Sequence, residues 1–249
     1  MIIHVGPKKK EQLKETIISK INSLRTMFIV ALLLLPCLVY FSFKINWFSS
    51  GSFSNRDITA SVAKVITGDG TGTAFLISPT KLITAKHVVV GTGLFEGAYV
   101  ELEFMKAPAS VGIRKAKVLF IPKEKGNDFA ILELDKPIEE LQTLEKGNSD
   151  EVEINEQINI IGYPAGMFAS TIGTVSNNIL PENSDLLEVS AGAWPGSSGG
   201  PIISKETNEV IGILVLGFEE SQKGRNFGFK INSIFSNSEL KARGLDFNR

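Results

Sequence analysis

GAWPGSSGGP, residues 192–201, is the stretch on which the reading of this chain turns. Gly or Pro stands at 195, 196, 199, 200 and 201. Such a run turns sharply, and its backbone N–H groups can converge on one side of a cleft. A serine among converging amides is suited to nucleophilic attack, with the amides receiving the oxyanion. A Ser/Gly surface loop has the same composition, so the segment needs partners elsewhere before it means chemistry.

The run also fits G-x-S-x-G at Gly196, Ser198 and Gly200, the nucleophile-elbow pattern of α/β-hydrolases. Those enzymes place an acid and then a His after the serine. No His follows Ser198. The segments after it, Ile202–Ser204 and Val210–Leu216, read as strands, not as the helix an elbow feeds. Chain order therefore disfavours an esterase of that type.

A serine nucleophile needs a base, most often His. The chain has two, His4 and His87. His4 lies at the N-terminus, beyond an apolar run. His87 stands in LITAKHVV, where an apolar strand ends in small residues. The base must in turn be oriented by a carboxylate. Asp128, in GNDFAILEL, heads a strongly apolar strand, and an acid buried there needs a partner. A turn aspartate beside Asn127 is the plainer reading. Asp69, Asp135 and Asp150 have more polar settings. The resulting order, His87, Asp128, Ser198, is one of the known triad orders, that of chymotrypsin.

Outward from these segments the chain is a series of short β-branched and apolar runs between Gly, Pro, Asn and Asp. Twelve strands are expected: 60–67, 73–77, 81–85, 99–104, 115–121, 129–134, 157–163, 173–177, 186–190, 201–204, 210–216 and 226–231. This spacing predicts an all-β sandwich or barrels. Helix is expected only as a turn near His87 and over 234–243.

The N-terminal quarter is different. Residues 1–56 carry eight Lys/Arg and two Asp/Glu (net +6), whereas 57–249 carry eighteen and twenty-five (net −7). The acidic larger part lacks the basic footprint of a nucleic-acid-binding protein. Met27–Phe43 is seventeen residues without a charge. At about 1.5 Å per residue it is just long enough, with its flanks, to cross a hydrocarbon core. The lysines before it place the N-terminus in the cytoplasm and the remainder outside, in the periplasm if the source is bacterial. A cleaved signal peptide has a shorter apolar region and a small-residue cleavage site, which this run lacks. The expected organisation is a basic cytoplasmic segment (1–26), a transmembrane helix (27–43), a polar linker (44–57) and one domain (58–249). Within 8–25, Leu13, Ile17, Ile21 and Leu24 form a narrow apolar stripe suited to an anionic leaflet or to an ordinary juxtamembrane stretch. The single cysteine, Cys37, lies in the apolar run, so no intrachain disulfide forms. Two distant histidines and one cysteine indicate no metal site, and no cofactor motif is present.

Together these segments resemble the trypsin-like serine proteases, especially the high-temperature-requirement branch, over about residues 60–233. GTGTAFLIS (70–78) with LITAKHVV resembles the strands leading to the family histidine, and GNDFAILEL its aspartate segment. INIIGYPAG (158–166) and STIGTVSN (170–177) resemble the opening of its second barrel. PGSSGGPI, EVIGILVLG (209–217) and NFGFKI (226–231) complete the set. The resemblance implies two six-stranded antiparallel β-barrels, about 58–145 and 152–233, with a tail 234–249 and the site between the barrels. It implies hydrolysis of protein or peptide substrates through an acyl-enzyme on Ser198. His87 would serve as base and then acid, Asp128 would hold its tautomer, and the backbone N–H groups of Gly196 and Ser198 would form the oxyanion hole. By position, Gly192, Trp194, Val215, Gly217 and Gly228 would wall the primary substrate pocket.

The departures from the family are informative. Ser197 stands where digestive members carry the Asp that receives a freed N-terminus, so that activation route is absent. Gly192 replaces the Asp that selects basic residues, which points to a small or medium apolar residue instead. Eighteen residues follow Ile231, too few for the appended peptide-binding module of many relatives. Two alternatives stay open at the level of sequence. One is an idle protease fold that binds peptides as a sensor or chaperone. The other is a resting enzyme whose 192–198 loop is ordered only by a partner.

Overall fold

The computed structural model describes Lys20 and residues 57–68, 70–180, 183–216 and 225–245. The expected membrane helix over 27–43 lies outside these residues, as does most of the linker. Among the described residues no helix is long and apolar enough to cross a membrane. The chain divides into two compact units, Met1–Asn55 and Arg56–Arg249, and the elements below belong to the second.

All twelve expected strands are present. The first six are β1 (Val62–Thr67), β2 (Gly70–Leu76), β3 (Lys81–Thr84), β4 (Tyr99–Glu103), β5 (Ile113–Phe120) and β6 (Ala130–Leu134). They close into an antiparallel barrel in the order β1-β2-β3-β6-β5-β4. The second six are β7 (Gln157–Gly162), β8 (Ala169–Asn177), β9 (Leu186–Val189), β10 (Pro201–Ser204), β11 (Val210–Leu216) and β12 (Asn226–Lys230). They close in the order β10-β11-β12-β9-β8-β7. Closure leaves neither sheet an unpaired edge.

Side-chain alternation explains which face is which. In β4, Val100 and Leu102 point inward while Tyr99 and Glu101 are exposed, the period-2 pattern of a sheet wetted on one side. β6 is different: Ala130, Ile131 and Leu132 are all fully buried. All three belong to the apolar cluster that also takes in Ile213 and Phe229 of the second barrel.

Two apolar clusters result. One is the interior of the second barrel, with Ile158, Ile160, Leu187, Ile202 and Leu214. The other joins the first barrel to the inter-barrel face, running from Phe75 and Leu82 through Phe129 to Ile213 and Phe229. Phe129 bridges the barrels, with ring centroids 5.9 Å from Phe120 and 5.8 Å from Phe229. A register shift at Val118/Phe120 aims Phe120 at it.

The helices differ from expectation in detail. α1 (Lys86–Val90) is the turn at His87. The C-terminal segment forms two helices, α2 (Ile231–Ser236) and α3 (Ser238–Ala242), where one over 234–243 was expected. Asn237 breaks it: its backbone is extended (φ −55°, ψ 124°) and its side chain accepts from the Leu240 N–H at 3.0 Å. Asn competes well for that cap and poorly for a helix interior. Burial of Ile231, Ile234, Phe235 and Leu240 holds both helices down.

Candidate active site

The first barrel supplies His87 and Asp128. His87 sits in the first turn of α1, where the chain leaves β3 and bends. Asp128 immediately precedes Phe129 and β6, and only 8% of it is exposed. Its carboxylate grips His87 twice. Asp128 Oδ1 accepts the His87 backbone N–H at 3.0 Å and Oδ2 meets Nδ1 at 2.7 Å. A carboxylate only accepts, so Nδ1 carries a proton in this contact. Asn127 does not engage Asp128; its amide donates to Glu124 at 3.1 Å. Asp150 accepts from Asn232 at 2.7 Å.

The second barrel supplies Ser198, on the turn that enters β10. The turn is built into the first barrel by close backbone approach. A Cβ at Gly199 (φ +84°) would stand 2.2 Å from the Thr73 carbonyl oxygen and 2.7 Å from the Ala85 nitrogen. The Ser198 carbonyl accepts the Thr73 N–H at 2.8 Å. Ser198 is therefore fastened to β2 and to the residues just before His87. The approach is possible only where no side chain intervenes.

The amides of the turn are sorted by their partners. Ser197 N–H donates to the Trp194 carbonyl at 2.9 Å and Gly199 N–H to the Leu214 carbonyl at 2.8 Å. The N–H groups of Gly196 and Ser198 have no acceptor among the described residues. Gly196 has φ +99° and lies against the Tyr163 carbonyl, with 2.4 Å to a hypothetical Cβ. The Pro195 carbonyl accepts the Ala165 N–H at 2.9 Å. In a trans peptide the C=O and N–H point in opposite directions. Fastening the Pro195 carbonyl to Ala165 thus turns the Gly196 N–H away from Ala165 and keeps that carbonyl from turning inward.

Thr73 was not singled out from sequence, yet it organises this turn. It is fully buried. Its hydroxyl donates to the Gly196 carbonyl at 2.8 Å and accepts the Tyr163 N–H at 3.0 Å. Its own carbonyl accepts the Thr84 hydroxyl at 2.7 Å. A hydroxyl at an inward position of an apolar strand was the available signal. Its partners lie 90 and 123 residues away, beyond any local pattern.

The residues expected to wall the primary pocket lie on three segments, the stretch before the turn, β11 and β12. Trp194 is 55% exposed and its indole tip lies over Gly192, 2.8 Å from where a Cβ would stand. Val215 is fully buried on β11 and paired with Phe227. Gly228 points into the second barrel, where a Cβ would meet Ile202 Cδ1 at 2.3 Å. Alternation along β12 gives the inter-barrel side to Phe227 and Phe229 instead. Gly217 lies outside the described residues. No cluster of His, Cys, Asp or Glu able to hold a metal is found among the described residues.

Residues 72–213 match the trypsin-like peptidase domain. Over 174 residues the chain is 30% identical to a probable periplasmic DegP-like serine endoprotease of Chlamydia pneumoniae, covering 67% of this chain and 33% of that protein. The chain thus spans about a third of the length of that relative. Among solved structures, a Glu endopeptidase aligns with TM-score 0.62 at 20% identity, over 78% of this chain and 94% of the other. The HtrA-type protease AlgW aligns with TM-score 0.60 at 21% identity, over 76% and 62%. With two closed six-stranded barrels and a family match over more than half its length, this chain belongs to the trypsin-like peptidase family.

Proposed function

We propose that the chain is a serine endopeptidase that cleaves peptide bonds through an acyl-enzyme on Ser198. The observation that carries this is the two-point grip of Asp128 on His87. It fixes the imidazole in the tautomer that a general base needs.

His87 Nε2 removes the Ser198 hydroxyl proton as Oγ attacks the peptide carbonyl. The resulting oxyanion is received by the Gly196 and Ser198 N–H groups, each such donor typically supplying roughly 3–4 kcal/mol of transition-state stabilisation. His87 then passes its proton to the departing amine. Water repeats the sequence on the acyl-enzyme. Asp128 orients and stabilises the imidazolium as it forms. The bonded state of the 194–200 turn supports a resting site that is already assembled, against one that waits for a partner.

The proposal extends to location. The charge-free run 27–43 with lysines before it supports a membrane anchor that leaves the protease domain outside the cytoplasm. The DegP-like relative is named as periplasmic, which agrees in direction.

The test is intact-mass measurement of the full-length chain after treatment with a fluorophosphonate, with Ser198→Ala as control. One adduct on wild type and none on the variant is the expected result. A folded wild-type protein that takes no adduct, and binds peptides without turning them over, would instead be an idle peptide-binding fold.

A further inference from the structure

Asp128 is delivered by an irregular stretch of chain. Residues 121–129 join β5 to β6 and belong to no strand or helix, and 123–126 are exposed. Within the stretch one backbone hydrogen bond is found, from the Asn127 N–H to the Glu124 carbonyl at 3.4 Å. A catalytic carboxylate has to be held to within about 0.5 Å of its productive place, so side chains must supply the fastening. The Ile121 N–H donates to Glu96 at 2.9 Å, and the Lys123 N–H to Glu239 of α3 at 3.2 Å. The carbonyls at the alternate positions, Pro122 and Glu124, both accept from the ammonium of Lys86, the second at 3.2 Å.

Lys86 is the residue before His87, and the two together close a frame. The His87 N–H lies in the first turn of α1, where no helix carbonyl can accept it. Its acceptor is Asp128 Oδ1 at 3.0 Å, and Nδ1 of the same histidine meets Oδ2. One side of the frame is the main chain 86–87 and the opposite side is the main chain 124–128. The Asp128–His87 contacts close one end and the Lys86 contacts the other. A cation on two main-chain carbonyls is a stronger tie than a neutral donor. A lysine that served only solvation would leave its ammonium in water. This half-buried one turns back onto the chain.

We infer that Lys86 is a positioning residue for the reaction: its ammonium fixes the 121–127 segment so that the Asp128 carboxylate keeps both contacts with His87. The inference rests on the proposed acyl-transfer reading and deepens it. Lys86 acts through Asp128 and not at the reacting atoms. Without its tie, the segment retains Glu96 and Glu239 upstream of the bend but loses its link to the helix that carries the base.

Two readouts on the full-length protein test this. One is the rate at which Ser198 takes a fluorophosphonate. The other is hydrogen exchange of the His87 amide, whose protection comes from Asp128, corrected for the intrinsic rate of each sequence. Lys86→Met keeps the aliphatic stem and removes the donors, whereas Lys86→Arg keeps charge and donors. Lys86→Met should label about tenfold more slowly, as a misplaced catalytic group entails. Its His87 amide should exchange about tenfold faster while the amides of β11 exchange as in wild type. Lys86→Arg should stay within about threefold of wild type in both. If Lys86→Met does not reach the native melting curve, Lys86→Gln, which keeps a polar tip at this half-exposed position, takes its place with the same outcomes. Labelling at the wild-type rate, or an unchanged His87 amide, overturns the inference alone. So does faster exchange at His87 and β11 alike, which is general loosening, or a loss in Lys86→Arg as deep as in Lys86→Met. A wild-type protein that takes no label overturns the acyl-transfer reading and this role with it.

Discussion

Thr73 shows how much of the site hangs on a single hydroxyl. It ties the Gly196 carbonyl of one barrel's turn to the Tyr163 amide, from a strand of the other barrel. Thr73→Val keeps the shape but leaves a buried carbonyl and a buried N–H without a partner, at a cost of about 1–3 kcal/mol each. The displaced Gly196 amide should slow fluorophosphonate labelling of Ser198 by roughly tenfold to a hundredfold, a part of what loss of one oxyanion donor entails. Thr73→Ser should restore the rate. Wild-type labelling in a folded Val variant would show that the hydroxyl only supports the fold. The proposed triad stood out in sequence because few candidates existed: one His beside an apolar strand, one acid heading an apolar strand, and a serine pair, Ser197 and Ser198, among glycines. Thr73 did not, because its meaning lies wholly in its distant partners.

At the scale of elements, β8 positions the segment that leads into the Ser198 turn. A Cβ at Gly173 would meet the Ala191 backbone nitrogen at 2.5 Å and Cα at 2.7 Å. Neither is the yielding end of a side chain. The Ala191 carbonyl also accepts from Asn226 at 2.7 Å, so the segment is held on its other side. Gly173→Ala should cost about 1–3 kcal/mol through overpacking, lowering Tm by several degrees. Gly126→Ala, where nothing lies within 4 Å, should leave the melting curve in place. Equal melting of the two variants would mean that β8 yields freely. Strand existence was readable from local alternation. The facing of Gly228 was not, since it depends on how β12 is registered between β11 and β9.

At the scale of the molecule, the proposed site needs the barrels to stay docked, because His87 and Asp128 come from one and Ser198 from the other. Tyr163 is a staple across that joint, its hydroxyl donating to the Val62 carbonyl at 3.0 Å. Burial pushes its phenol up from 10.0 to about 12. The folded state therefore keeps the proton where the unfolded chain releases it. The associated stability is complete below about pH 10 and is lost as pH rises to about 12. Urea unfolding between those limits should show a steeper fall in stability for wild type than for Tyr163→Phe, by up to roughly 2–3 kcal/mol. Parallel pH dependences would remove Tyr163 from the account of alkaline unfolding. Lysine deprotonation is common to both proteins and cancels in the comparison.

What the sequence by itself determined is what short range can encode. Period-2 burial marked twelve strands, and glycines marked the turn. The order His87, Asp128, Ser198 separated two serine-enzyme architectures. Tertiary structure alone decided which carbonyl holds the Gly196 peptide and which side of β12 faces the inter-barrel contact. It also decided that the Trp194 indole lies over Gly192. Those outcomes follow from hydrogen bonds and packing between residues about a hundred positions apart, whose pairing is set only when both barrels close and dock.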